Sequence, residues 1–428
     1  MEEVFAKNLA HIGSRWPLLA RLLQEMDIST VNAELLQGRE ATLMIDGLQV
    51  SSRHDRRGEA VMQAEIIADD EPVIHLYGTG LGDLPELLLT RPALKKLVVH
   101  LLNEIHFALV LHLLEQPWLA DPRLELRLAA DSRELALPFI ALPPELLLAS
   151  DANAKIRDRL VAEIELPYVN SRFDIHEPEK QARINQNLAT IVADQDVSSL
   201  FGAYSGRSAL VIATGPSLSH HFNKLQKLMA LPERPLLICV DTAFRPLHEQ
   251  GIKPDFVVSI DMHIRADMLP WEASQGIGLI YFPLTQPELL DKWQGPRYAA
   301  YSASPMYAAV RASVSRGVLF SSGSVLHPAT DLAVQMGVSR ITLLGADFAF
   351  LYGETHTGWP AGLLAPAKDG QHWVINGRGE RVPTLLNFRS YLCYLERYIA
   401  TKPKVRFYNS CKDGAFIEGT EYDEEWLP

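Results

Sequence analysis

Three short apolar runs, at 209–213 (ALVIA), 236–240 (LLICV) and 256–260 (FVVSI), are separated by stretches of helix length and mixed polarity. A strand that is apolar at every position is buried on both faces, so these runs predict βαβ units and a parallel sheet covered by helices on each side. The first run delivers the chain into Thr214-Gly215-Pro216-Ser217-Leu218. Gly215 allows close backbone approach, Pro216 presets φ for a first helical turn and Ser217 is placed to cap it. A strand feeding a glycine turn and a helix start points free N–H groups and the helix dipole at one spot, so phosphate is the expected occupant.

The pattern continues downstream. Residues 279–282 and 318–320 read as strands with a helix at 306–314 between them, and Ser321-Ser322-Gly323-Ser324-Val325 opens a helix running through His327 to Met336. This second small-residue turn is a further candidate source of backbone donors. Residues 340–344 form a strand that exits into Gly345-Ala346-Asp347. Asp241, Asp261 and Asp347 each follow an apolar strand, and a doubly wound sheet gathers such residues along its carboxyl edge, where ligands bind. They suit ribose or sugar hydroxyls, or a divalent ion held by oxygen ligands; the sequence leaves metal dependence open. The stretch 352–381 is rich in Gly, Pro and His and too long for a passive connection, which marks it as a candidate active-site loop. It carries His356, a residue type suited to proton abstraction near neutral pH, and His372. Tyr352 and Trp359 either stack on a ligand or anchor the loop. Thr384 is expected to cap a helix through Leu395.

The upstream half reads differently. Apolar spacing predicts a helix over 2–26, and 41–50 with 60–67 read as strands of a hairpin around the polar turn SRHDRRG. An apolar run then enters Gly78-Thr79-Gly80-Leu81-Gly82, followed by strands at 95–102 and 124–129 and a helix at 105–114. Its glycines resemble the cofactor turn of class I methyltransferases. The second strand ends HLLN, however, without the carboxylate that holds a ribose, so this part reads as a degenerate Rossmann-like unit. A length of 428 residues predicts two domains, with the boundary placed near Glu177: an α/β domain at 1–176 and a larger one at 177–428. The formal charge of −12 argues against a nucleic-acid or anionic-membrane binder, and no stretch approaches the length of a membrane span. The three cysteines, Cys239, Cys393 and Cys411, form no metal-type cluster and point to buried thiols in a reducing cytoplasm.

Taken in order, TGPSL, VDTAFRPL with GIKPDFVVSID, SSGSVLHPATDLAVQMG, ITLLGADFAFLYGETHTG and NSCKDGAFIEGT resemble the motility accessory factor (Maf) family of bacterial flagellin glycosyltransferases. The same domain type includes 6-hydroxymethylpterin pyrophosphokinase-like proteins, and the turns are distantly similar to those of sialyltransferases. The likeness covers roughly 185–420; the helical region that follows in longer family members is not present in this sequence. The resemblance implies an α/β fold with a mainly parallel, Rossmann-like catalytic domain preceded by a smaller Rossmann-like α/β domain. It implies transfer of a nonulosonic acid, of pseudaminic or legionaminic type, from a CMP-activated donor to Ser or Thr of flagellin, with no further cofactor required. On this reading Thr214, Gly215, Pro216, Ser217, Ser322, Gly323 and Ser324 bind the nucleotide phosphate, Asp241 and Asp261 contact nucleoside or sugar, and Asp347 and His356 are catalytic. The alternatives are an ATP- and magnesium-dependent diphosphotransferase of the pterin type and a non-catalytic flagellin-binding factor. The oligomeric state and the identity of the sugar stay open.

Overall fold

The central strands of the second unit are short and largely apolar, and they belong to a nine-stranded sheet in which every neighbouring pair is parallel; a separate antiparallel pair joins Trp373–Ile375 to Arg381–Pro383. The computed structural model describes residues 2–172, 177–359 and 372–423, and of 166–172 the backbone alone. Its chain divides into two units, Met1–Glu165 and Leu166–Pro428. The strands of the large sheet are β1 (Gln195–Asp196), β2 (Ser208–Ile212), β3 (Leu236–Val240), β4 (Phe256–Ser259), β5 (Gly278–Tyr281), β6 (Arg297–Ala299), β7 (Arg340–Leu344), β8 (Arg406–Asn409) and β9 (Thr420–Tyr422). Their order across the sheet is β9-β8-β7-β2-β3-β4-β5-β6-β1.

From β2 the chain steps outward through β3, β4, β5 and β6, then returns to place β7 on the opposite side of β2. The crevice between β2 and β7 is therefore the switch point of the sheet, and loops leaving these two strands diverge from it. Helices α1 (Phe222–Met229), α2 (Asp241–Glu249), α3 (Leu326–Gln335) and α4 (Leu386–Ala400) belong to this unit. Leu210, Ile212, Ile238, Val258, Leu332 and Leu392 are among the side chains that its core buries completely or nearly so. Each such aliphatic group stabilises the fold by roughly 1.5–3 kcal/mol relative to exposure.

At the switch point the two loops run in backbone contact. The Gly215 N–H donates to the Gly345 carbonyl at 2.8 Å. Gly345 adopts φ +65°, and a Cβ there would lie 2.5 Å from the Ala213 carbonyl oxygen. A Cβ on Gly215 would in turn lie 2.4 Å from the Gly345 oxygen, so both positions exclude a side chain.

The first unit contains a four-stranded parallel sheet, ordered Leu124–Leu128, Lys96–Leu101, Val73–Tyr77, Phe139–Ala141. Its glycine turn is closed from within: the buried Glu145 carboxylate accepts the Thr79 and Gly80 N–H groups at 3.1 and 2.9 Å. Burial raises the pKa of this acid against the pull of the two amides. The turn donors that a cofactor phosphate would use are thus already bound.

Several local expectations give way to specific interactions. The helix expected over 2–26 is two, Glu2–Arg15 and Pro17–Gln24, because Pro17 lacks the N–H that would continue the ladder. The hairpin expected at 41–67 is smaller: Thr42–Ile45 pairs with Leu48–Gln49 across Asp46-Gly47, both at positive φ. Residues 60–67 are not a strand. Asp55 caps a helix over Arg56–Ala64 by accepting the Gly58 N–H. Residues 318–320 make only a single bridge, Val318 to Tyr301. Thr384 does not cap the helix that begins at Leu386; its hydroxyl donates to the Phe348 carbonyl at 2.6 Å. Part of the long loop, 360–371, lies outside the described residues. All three cysteines are buried free thiols, and among the described residues no helix is long and apolar enough to cross a membrane.

Replacing Gly345 by Ala forces a β-carbon into the Ala213 carbonyl at a backbone conformation that alone costs roughly 1–3 kcal/mol. Urea unfolding of Gly345→Ala is expected to show at least that loss; an unchanged midpoint would remove the close approach at the switch point.

Candidate functional site

The carboxyl ends of β7, β2, β3 and β4 face a pocket of about 440 Å³. Eight of the sequence-derived candidates line it: Thr214, Gly215, Asp241, Asp261, Gly323, Ser324, Asp347 and His356. Pro216, Ser217 and Ser322 are not among the lining residues. The sheet edge thus brings together both glycine turns, which are separated by more than a hundred residues in sequence.

The two turns are chemically unlike. In the first, Ser217 is fully buried, and its N–H and hydroxyl donate to the Asp347 carboxylate at 2.8 and 2.6 Å. Leu218 N–H donates back to the Gly215 carbonyl, and the Gly215 N–H is held by Gly345. Thr357 closes the outer side, its N–H donating to the Thr214 carbonyl at 2.8 Å and its hydroxyl to those of Gly215 and Pro216. Most of this turn's donors are therefore spent inside the fold, and Asp347 is what occupies the anion position expected there. Desolvation raises the Asp347 pKa, and the Ser217 bonds oppose it. Gly414 packs against this carboxylate and the Ala415 N–H donates to the Asp347 carbonyl, so the carboxy-terminal NSCKDGAF stretch serves as its cradle.

The second turn is open. Gly323 sits at φ +91° with the Tyr391 ring directly against it. Ser322 N–H is taken by His327 Nδ1 at 3.2 Å, and the Ser324 hydroxyl accepts from Leu326 N–H. Among the described residues the N–H groups of Gly323, Ser324 and Val325 have no acceptor, and all three residues line the pocket at the start of the ten-residue α3. His327 is the staple behind them. Because Nδ1 accepts from Ser322, Nε2 carries the hydrogen that reaches the Tyr391 carbonyl at 3.0 Å. Burial pushes its pKa down to about 4, which keeps that neutral tautomer.

Asp241 opens α2 with a side chain that is almost fully enclosed. It accepts the Thr242 N–H at 2.7 Å and the Ser259 hydroxyl at 2.9 Å. Desolvation, assisted by the Asp261 charge and opposed by those two bonds, raises its pKa to about 7. Asp261 is exposed, and its carboxylate accepts the His263 N–H at 2.8 Å. The three aspartates thus occupy three different environments. Among the described residues no three His, Cys, Asp or Glu side chains converge as metal ligands.

His356 is half-buried beside Thr355, with Nδ1 2.9 Å from its hydroxyl, and the Phe388 ring meets it edge-on. It is not bonded to Asp347. Loss of solvent lowers its pKa to about 4. Trp359 anchors its loop by donating to the Thr242 carbonyl at 3.1 Å, whereas Tyr352 is exposed at φ +56°. The His372 carbonyl accepts from Thr384 N–H.

Sequence reasoning missed Phe388 and Tyr391 of α4, Thr242, His263 and the Val325 amide. The three-residue spacing of Phe388 and Tyr391 on one helix face was a readable signal; their arrival over a loop some 65 residues upstream was not. A more open depression of about 500 Å³ in the first unit lies by the amino ends of strands, lined by Arg15, Lys96 and Arg123 among others. There Arg15 donates to backbone carbonyls, Lys96 pairs with Glu125 and Arg123 with Asp121, so these cations are already engaged.

A family profile described as "6-hydroxymethylpterin diphosphokinase MptE-like" matches residues 182–353, the domain type that the sequence motifs resemble. Comparison with curated proteins finds no match. Among solved structures the chain is similar to a MAf glycosyltransferase from Magnetospirillum magneticum AMB-1, at 16% identity and a TM-score of 0.47, over all of this chain and 75% of that one.

Asp241 binds its proton more tightly folded than unfolded. Its stabilising contribution is therefore full below pH 4 and is lost as pH rises through about 7. Relative to Asp241→Asn, the wild-type protein is expected to lose up to about 4 kcal/mol of urea stability across that window. A pH-independent difference would contradict the enclosed carboxyl.

Proposed function

We propose that the protein is a glycosyltransferase that moves a nonulosonic acid from a CMP-activated donor to a hydroxyl acceptor, with Ser or Thr of flagellin as that acceptor in the cytoplasm. The observation that carries this reading is the trio of amides, Gly323, Ser324 and Val325, without an acceptor among the described residues, opening the ten-residue α3 into a pocket of substrate size at the sheet's carboxyl edge. Breaking the glycosidic bond leaves negative charge on the CMP phosphate. Donors fixed in place before the reaction stabilise that charge without reorganising. In this assignment the phosphate sits on the second turn, while the first turn, held by Asp347, forms the floor. Tyr391 and Phe388 offer faces for the cytosine ring. Asp241, bearing a proton for much of the time near neutral pH, and the exposed Asp261 carboxyl offer donors and acceptors to hydroxyl groups. The family-profile match over 182–353 and the ordered motifs support the same assignment.

The second reading, taken from the name that the matching profile carries, is diphosphate transfer from ATP to a pterin alcohol. That reaction needs magnesium to bridge the phosphates. Calorimetry separates the two: CMP binding without magnesium supports glycosyl transfer, and magnesium-dependent ATP binding without CMP binding overturns it.

Val325 has φ −64°, the value proline imposes, so Val325→Pro removes one amide while keeping the backbone. A lost hydrogen bond to a charged group costs about 1.5–3 kcal/mol. CMP affinity is therefore expected to fall roughly 10- to 100-fold, whereas cytidine, which lacks phosphate, should bind equally to both proteins. Equal CMP affinity would place the phosphate elsewhere.

A further inference from the structure

We infer that His263, and not His356, takes the proton from the attacking acceptor hydroxyl, an inference that rests on the glycosyl-transfer reading. A protein acceptor reaches the pocket only from the solvent side, so the base has to stand at the mouth and be able to pass its proton to water. Among the described residues two imidazoles line the pocket. His356 is half-buried, with Nδ1 beside Thr355, and desolvation opposes its protonation. A ring in that setting is a poor proton sink.

His263 has the opposite setting. It is exposed, and its ring makes no hydrogen bond or ion pair among the described residues. Its backbone is nevertheless fixed. The neighbours Met262 and Ile264 are buried at 8% and 6% exposure, the His263 N–H is held by Asp261, and the Ile264 N–H donates to the Asp261 carbonyl. The chain therefore pins the residue on both sides and leaves the ring free at the pocket wall, at the carboxyl end of β4. The sequence read DMHI only for its aspartate.

In the step assigned to it, the acceptor oxygen forms a bond to the anomeric carbon as the bond from that carbon to the phosphate oxygen breaks. The bonding pair leaves with CMP, whose charge faces the amides of Gly323, Ser324 and Val325. The hydroxyl proton passes to a ring nitrogen of His263 and then to water. No further reactant is needed.

The test uses the full chain, with CMP-pseudaminic acid as donor and either water or flagellin as acceptor, following CMP release and glycopeptide mass. His263→Ala is expected to bind CMP within about twofold of wild type and to turn over 10²- to 10⁴-fold more slowly on kcat. Added imidazole should restore part of that rate, since the vacated place is open to solvent. His263→Gln, which fills the place without a proton acceptor, should be equally slow and not rescued. Wild-type turnover in both variants, or a loss confined to KM without rescue, overturns the role of His263 while leaving the transferase reading intact. A wild-type protein that neither binds CMP nor releases it from the donor overturns that reading and this inference together.

Discussion

The site depends on a short contact between two main chains. At the switch point the loop after β2 and the loop after β7 meet through the Gly215 N–H and the Gly345 carbonyl, and the Asp347 carboxylate then fastens Ser217 from the same side. Without side chains at either glycine the loops come close enough for one carboxylate to satisfy a backbone and a hydroxyl donor together. That clamp fixes the floor of the pocket. It also fixes the strand end from which the ETHTGW loop turns back over Thr214.

From this clamp follows a division of labour between two turns that look alike as strings of residues. TGPS is closed upon itself, whereas SGSV keeps three amides facing outward because His327 and Tyr391 hold it from behind. The first unit repeats the closed arrangement in another form, with Glu145 seated on Thr79 and Gly80. In both closed turns the partner acid comes from a distant part of the chain, 130 residues away for Asp347 and 66 for Glu145. Local sequence identifies a turn able to bind an anion; tertiary structure decides whether the anion is a ligand or the protein's own carboxylate.

What the sequence made legible follows from which interactions are local. Strands buried on both faces announce themselves as unbroken apolar runs, so β2, β3, β4, β5 and β7 were readable nearly to the residue, and with them the sheet edge where the aspartates gather. The strands toward the two edges were not: β1 at one edge has two residues, and β8, next to the other edge, carries Arg406 and Asn409 at its ends. In the first unit the Asp46-Gly47 turn was passed over for a longer polar one, and the cap at Asp55 was outweighed by the alternation of the residues after it. Of the candidate site residues, those at strand ends were found because topology places them. Phe388, Tyr391 and His263 escaped because they enter the pocket from a helix or a turn whose docking no local pattern encodes.

The open turn has one more implication. Its donors belong to the peptide backbone, so substituting the side chains of Ser324 or Val325 does not delete them, provided that Gly323 keeps its left-handed bend and residue 325 keeps its hydrogen. Recognition built this way places few demands on amino-acid identity. Lineages sharing such a pocket are free to drift apart in sequence while retaining the same chemistry.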